Sequence, residues 1–76
     1  MSGAIRKKGN SMRIRVNGID IEFEKTTLKE LLDLYRFNPS KIMVEKNGRI
    51  VEKEKYATEI LQDGDVLEIA RFVGGG

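Results

Sequence analysis

The sequence predicts an α+β fold: a mixed sheet of about five strands with one main helix packed on one face. Three observations carry this. Residues 12–16 and 19–23 alternate apolar and polar side chains around Asn17-Gly18. A capped, amphipathic helical pattern starts at Thr27. Three further short strand signals fill residues 41–73. A strand-strand-helix-strand-strand-strand order, with the helix covering one sheet face, is an α+β architecture. The chain has 76 residues, enough for one small domain. A domain of that size buries only about 60% of its unfolded surface, which leaves little volume for an enclosed active site and counts against an enzyme.

The first hairpin has the clearest pattern. Asn-Gly suits a two-residue turn because both positions tolerate positive φ. That turn pairs Val16 with Ile19, Ile14 with Ile21 and Met12 with Phe23 on one face. On the other it sets Arg15 opposite Asp20 and Arg13 opposite Glu22. Apolar matching and charge matching agree on one register, as cross-strand pairing requires.

The helix opens with a capping box, Thr27 and Glu30. Leu28, Leu31, Leu32 and Tyr35 follow at i, i+3, i+4 and i+7, one face of a helix. That stripe is core rather than a partner groove, because a lone hairpin needs a cover. Asn38-Pro39 is expected to end the element.

Residues 41–52 read as two strands around Asn47-Gly48. A two-residue turn pairs Val44 with Val51 but sets Lys46 against Arg49, so a slightly longer loop is expected. In 53–62, Tyr56, Ile60 and Leu61 are the expected packing residues. Asp63-Gly64-Asp65 reads as a turn, with Val66–Val73 as the last strand. The apolar content of the first and last strands suits central places in the sheet.

Composition excludes several classes of chemistry. The chain contains no cysteine and no histidine. It has no disulfide, no thiol nucleophile, no zinc site of the Cys/His kind and no histidine base. No run resembles a calcium loop, and no metal site is expected. The net charge of +2 comes from the leader: Arg6, Lys7 and Lys8 lie in residues 1–11, while residues 12–76 hold 11 basic and 12 acidic side chains. The domain offers no electrostatic case for nucleic acid. No apolar stretch is long enough to cross a membrane, and none follows the basic N-terminus as in a signal peptide. The expectation is a soluble cytoplasmic protein. It divides into an N-terminal extension (1–11), one domain (12–73) and a flexible glycine tail (74–76). The extension offers little apolar area apart from Ile5, so it is expected to be dispensable for folding.

No side-chain constellation supports catalysis. Asp63 and Asp65 flank a turn glycine, and Glu52 and Glu54 alternate with Lys53 and Lys55, a solvated charged surface. The three terminal glycines lack the following helix and the lysine of a phosphate loop. They are nevertheless the unusual feature. A strand runs straight into Gly74-Gly75-Gly76, a stretch without Cβ that can enter a channel too narrow for other residues. Composition alone leaves this reading level with a frayed terminus or a cloning remnant.

Taken together, V-N-G near the start, T-L-K-E-L-L, N-G-R-I-V-E-K-E-K-Y-A-T, L-Q-D-G-D-V-L-E-I and the final F-V-G-G-G resemble the ThiS family, the sulfur carriers of the thiamine pathway. The likeness covers residues 12–76. Its most specific part is the D-G-D turn before a terminal strand that ends in Gly-Gly. Two positions depart from the family pattern: Tyr56 stands where an aromatic, commonly Trp, is found, and Lys53 stands near a usual Arg.

The resemblance implies the ubiquitin-like β-grasp fold and places the working group at the Gly76 carboxylate, with Gly75 and Gly74 as its tether. It implies no permanently bound cofactor. A ThiF-type adenylyltransferase would use ATP and magnesium to form an acyl-adenylate on Gly76. A persulfide sulfur donor would then displace AMP and leave a thiocarboxylate, and thiazole synthase would receive the sulfur. Every catalytic group would lie on partners, and the chain itself would not be an enzyme. Phe72 and Val73, beside the tail, are the expected partner-docking residues, with a core role for Phe72 as the competing reading. Three alternative functions stand beside this one: a molybdopterin-type sulfur carrier, a ubiquitin-like modifier that forms isopeptide bonds through Gly76, and a binding module in which the glycines are incidental.

Overall fold

The computed structural model describes residues 11–72. Five strands form one sheet: β1 (Met12–Val16), β2 (Ile19–Phe23), β3 (Ile42–Lys46), β4 (Arg49–Val51) and β5 (Val66–Arg71), in the order β2-β1-β5-β3-β4. The first and last strands hold interior places, as their apolar content required. They run parallel to each other, and the other pairings are antiparallel. The helix α1 (Leu28–Leu34) covers one face.

The first hairpin has the register read from its residues: Met12 opposite Phe23, Ile14 opposite Ile21, Val16 opposite Ile19. Arg15 Nε reaches Asp20 Oδ1 at 2.8 Å, and Arg13 stands 3.8 Å from Glu22. Asn17 and Gly18 have φ of 51° and 84°, the mirror-image turn that matches the twist of the strands.

The second hairpin departs from expectation. Asn47 and Gly48 repeat the two-residue turn, and Lys46 does stand opposite Arg49. The repulsion is relieved sideways rather than by a longer loop. Lys46 Nζ lies 2.8 Å from Glu59 and 3.6 Å from Asp65, and it donates to the Ile60 carbonyl.

The core joins Leu28, Leu31 and Leu32 of α1 to Ile14, Phe23, Val44, Leu67 and Ile69 of the sheet, with Tyr56 and Leu61 from the connection before β5. The three leucines are fully buried, and each contributes about 1.5–3 kcal/mol. The capping box is present. Two other expected packing residues are not in the core. Tyr35 is exposed because α1 stops at Leu34: Arg36 adopts φ 62°, and the Phe37 N–H bonds the Leu32 carbonyl. The left-handed turn ends the helix before Asn38-Pro39, which instead opens a 3₁₀ turn over Pro39–Lys41. Ile60 is exposed too, since its backbone, bridged to Thr27, sets its place.

Candidate functional site

The site predicted from sequence lies at the end of β5. Val73, Gly74, Gly75 and Gly76 fall outside the described residues; Phe72 is the last one described. The Phe72 N–H donates to the Lys41 carbonyl at 3.0 Å, which continues the β3–β5 ladder one step past the strand. Phe72 is 60% exposed, so it is not a core residue and its ring is open to contact.

Alternation along the strands decides what surrounds it. In β5, Leu67 and Ile69 point into the core, so Glu68 and Ala70 lie on the outer face. In β3, Ile42 and Val44 point in, and Met43 and Glu45 lie outside. The register sets Met43 opposite Ala70, and sets Glu45 opposite both Glu68 and Ile50. The outer face near the chain's end thus carries Phe72, Ala70 and Met43, followed by the Glu45–Glu68 pair, with exposed Ile50 and Val66 beside it. On the helix side, the Arg71 guanidinium lies 5.7 Å from the centre of the Phe37 ring, a cation–π contact. Phe37 also lines an apolar cleft with Val16, Ile19, Ile21 and Tyr35.

The strand that presents this end is held at its start by Asp65, which is buried. Its carboxylate accepts hydrogen bonds from the Gln62 N–H at 2.8 Å and from Asn47 Nδ2 at 2.9 Å. The Asp63 carboxylate accepts from the Arg13 N–H at 2.7 Å. Both aspartates therefore fix the turn into β5. From the sequence Asp65 is expected to be a solvated turn residue; in the structure it is buried. Its place two residues before the buried Leu67 was the only signal available. The Lys46 ammonium is held above the ordinary lysine range, chiefly by its hydrogen bond to Glu59 and further by the Asp65 charge.

Among the described residues, no group of three or more His, Cys, Asp or Glu is placed to hold a metal ion. No helix among them is long and apolar enough to cross a membrane.

Comparison with known proteins agrees with this geometry. The family model for the ThiS family matches residues 14–76. The sulfur carrier protein ThiS of Bacillus subtilis is 40% identical over 65 residues, covering 83% of this chain and 98% of its own. A thiazole synthase of Magnetococcus marinus is 39% identical over 66 residues, covering 86% of this chain but only 20% of the synthase, so one segment of that enzyme is similar to this whole domain. The crystal structure of the thiamine biosynthesis protein ThiS from Geobacter metallireducens superimposes with a TM-score of 0.74 at 30% identity, over 86% of this chain and all of the other. The β-grasp architecture, the full-length match to a carrier and the family model together place this chain in the ThiS family, the non-enzymatic sulfur carrier proteins of thiamine biosynthesis.

Proposed function

We propose that the Gly76 carboxylate is the group that carries sulfur, with Gly74 and Gly75 as its tether. A carboxylate is a poor electrophile, since it is anionic and has no good leaving group. A partner adenylyltransferase of the ThiF type, using ATP and magnesium, joins the carboxylate to AMP and releases pyrophosphate. A persulfide sulfur held by a donor protein attacks the acyl carbon and expels AMP; reductive cleavage of the S–S bond by a thiol leaves the thiocarboxylate. Thiazole synthase is the acceptor. A cytoplasmic setting belongs to this reading. The chain has no cysteine, so no thiol of its own captures the acyl group.

The observation that carries the reading is the end of β5. The strand is fixed into the sheet up to the Phe72–Lys41 hydrogen bond, and four residues, 73–76, follow it. Fully extended they span about 13 Å, enough to bring the terminus into a partner's site while the domain stays outside. Phe72, exposed beside the tail, and Val73 supply apolar contact at the channel mouth, as central apolar anchors do.

The test is direct. Incubated with ATP, magnesium, the host's adenylyltransferase and a persulfide donor, the protein gains the mass of one oxygen-to-sulfur exchange, and fragmentation places it on Gly76. Deleting Gly75 and Gly76 abolishes the exchange. Thiazole formation that survives this deletion would overturn the reading.

A further inference from the structure

Glu45 and Glu68 are direct cross-strand partners on the outer face of the sheet. Like charges in that position destabilise a sheet. On β1–β2 each outer charge has a mate, Arg13 with Glu22 and Arg15 with Asp20. Among the described residues, Glu45 and Glu68 have none. They stand in apolar surroundings, with Met43 and Ala70 one step toward the chain's end, Phe72 beyond, and Ile50 opposite Glu45 on the far side. The carboxylates alone would be a solvated acidic spot. The exposed apolar residues around them, and a tail of four residues starting next to Phe72, make this the ground that a tail-holding partner must cover.

We infer that thiazole synthase docks on this outer face through Met43, Ala70 and Phe72, and that an arginine of the synthase seats between the Glu45 and Glu68 carboxylates. Charge complementarity selects a cation, and a guanidinium offers donors in a planar fork that can serve two carboxylates at once. The synthase is the partner chosen because one segment of a thiazole synthase is similar to this whole domain. This inference rests on the carrier reading above.

The experiment measures binding of the unmodified, full-length protein to the host's thiazole synthase at low and high salt, so it needs no adenylation. Glu68→Gln and Glu45→Gln are each expected to raise the thermal midpoint by about 2 °C through relief of repulsion. Each is also expected to weaken synthase binding about tenfold and to flatten its salt dependence, while the adenylation rate with the ThiF-type enzyme at saturating carrier concentration is unchanged. A gain in stability together with a loss of affinity is what a purely structural role would not produce. Unchanged affinity and salt dependence would overturn the inference, as would a loss confined to the adenylyltransferase or a wild-type protein that does not bind the synthase. The mass-exchange assay judges the carrier reading separately, because it involves no synthase.

Discussion

Asn17 and Ile69 exchange two hydrogen bonds through the asparagine side chain. The Ile69 N–H donates to Asn17 Oδ1 at 2.7 Å, and Asn17 Nδ2 donates to the Ile69 carbonyl at 3.1 Å. The Asn17 backbone N–H already bonds the Leu67 carbonyl at 2.9 Å. A side-chain amide therefore extends the short parallel β1–β5 ladder by one step after the chain has turned away. Asn47 does a similar job from the β3 side: its N–H bonds the Val66 carbonyl, and its Oδ1 accepts the Val66 N–H at 2.9 Å. The two Asn-Gly turns thus clamp the central strand from both edges.

The first prediction tests this clamp. Asn17→Gly keeps a residue suited to positive φ but removes both bonds to Ile69, leaving a partly buried N–H and C=O without partners. The expected loss is about 2 kcal/mol, or roughly 10 °C in thermal midpoint. A variant within half a kcal/mol of the wild type in denaturant unfolding would show that water replaces the amide.

Asp65 and Glu59 both contact Lys46, yet they should differ in weight. Asp65→Ala leaves the Gln62 N–H and Asn47 Nδ2 without acceptors at a buried site and should cost about 2–3 kcal/mol. Glu59→Ala removes one partner of a half-buried ion pair but leaves Lys46 with Asp65 and the Ile60 carbonyl, so it should cost less, about 1 kcal/mol, although Glu59 is the leading cause of the raised Lys46 pKa. A raised lysine pKa gives stability that is complete below the unfolded value and lost as pH rises through the folded one. In Glu59→Ala that alkaline loss should shrink. Equal destabilisation by the two variants at neutral pH would refute the ranking.

Acid should act through Glu30. Its carboxylate accepts the Thr27 and Thr26 backbone N–H groups, which hold it below the usual carboxylate range. A lowered folded pKa gives stability that is present above the unfolded value and lost as pH falls through the folded one. The midpoint difference between wild type and Glu30→Gln should therefore be largest near neutrality and narrow at acid pH. A constant difference across a pH series of thermal melts would assign the effect to packing instead.

These residues also show what the sequence could and could not reveal. The first hairpin was fully legible, because Val16, Ile14 and Met12 match Ile19, Ile21 and Phe23 in the same register that matches arginines to acids. The clamps were not. Asn17 and Asn47 announce turns locally, but their side-chain bonds depend on where β5 lies, 52 and 19 residues away. The helix end was misplaced because Arg36, unlike glycine, gives no sign of a left-handed conformation. Lys46 opposite Arg49 looked forbidden only because Glu59 and Asp65 could not be placed from sequence. The role of Gly74, Gly75 and Gly76 rests on the resemblance, and those residues lie outside the described ones.

The last prediction separates docking from stability at Phe72. Its ring is mostly exposed and lies past the end of β5; its backbone N–H, not its side chain, holds it to Lys41. Phe72→Ser keeps that bond and removes little buried area, so the thermal midpoint should stay within about 3 °C of wild type. Binding is another matter. On the function proposed above, the adenylyltransferase and the synthase would both grip the four residues that follow, and both would then cover the ring at the channel mouth. Truncating an apolar anchor there should weaken each complex by about 1–2 kcal/mol, or roughly 5- to 30-fold. Because the Gly76 carboxylate itself is untouched, adenylation at saturating carrier concentration should be nearly normal, and the defect should appear at low concentration. Titration of the two enzymes with the variant checks this, alongside its melting curve. A stable variant that binds both enzymes as the wild type does would remove Phe72 from the interface and leave recognition to the tail alone.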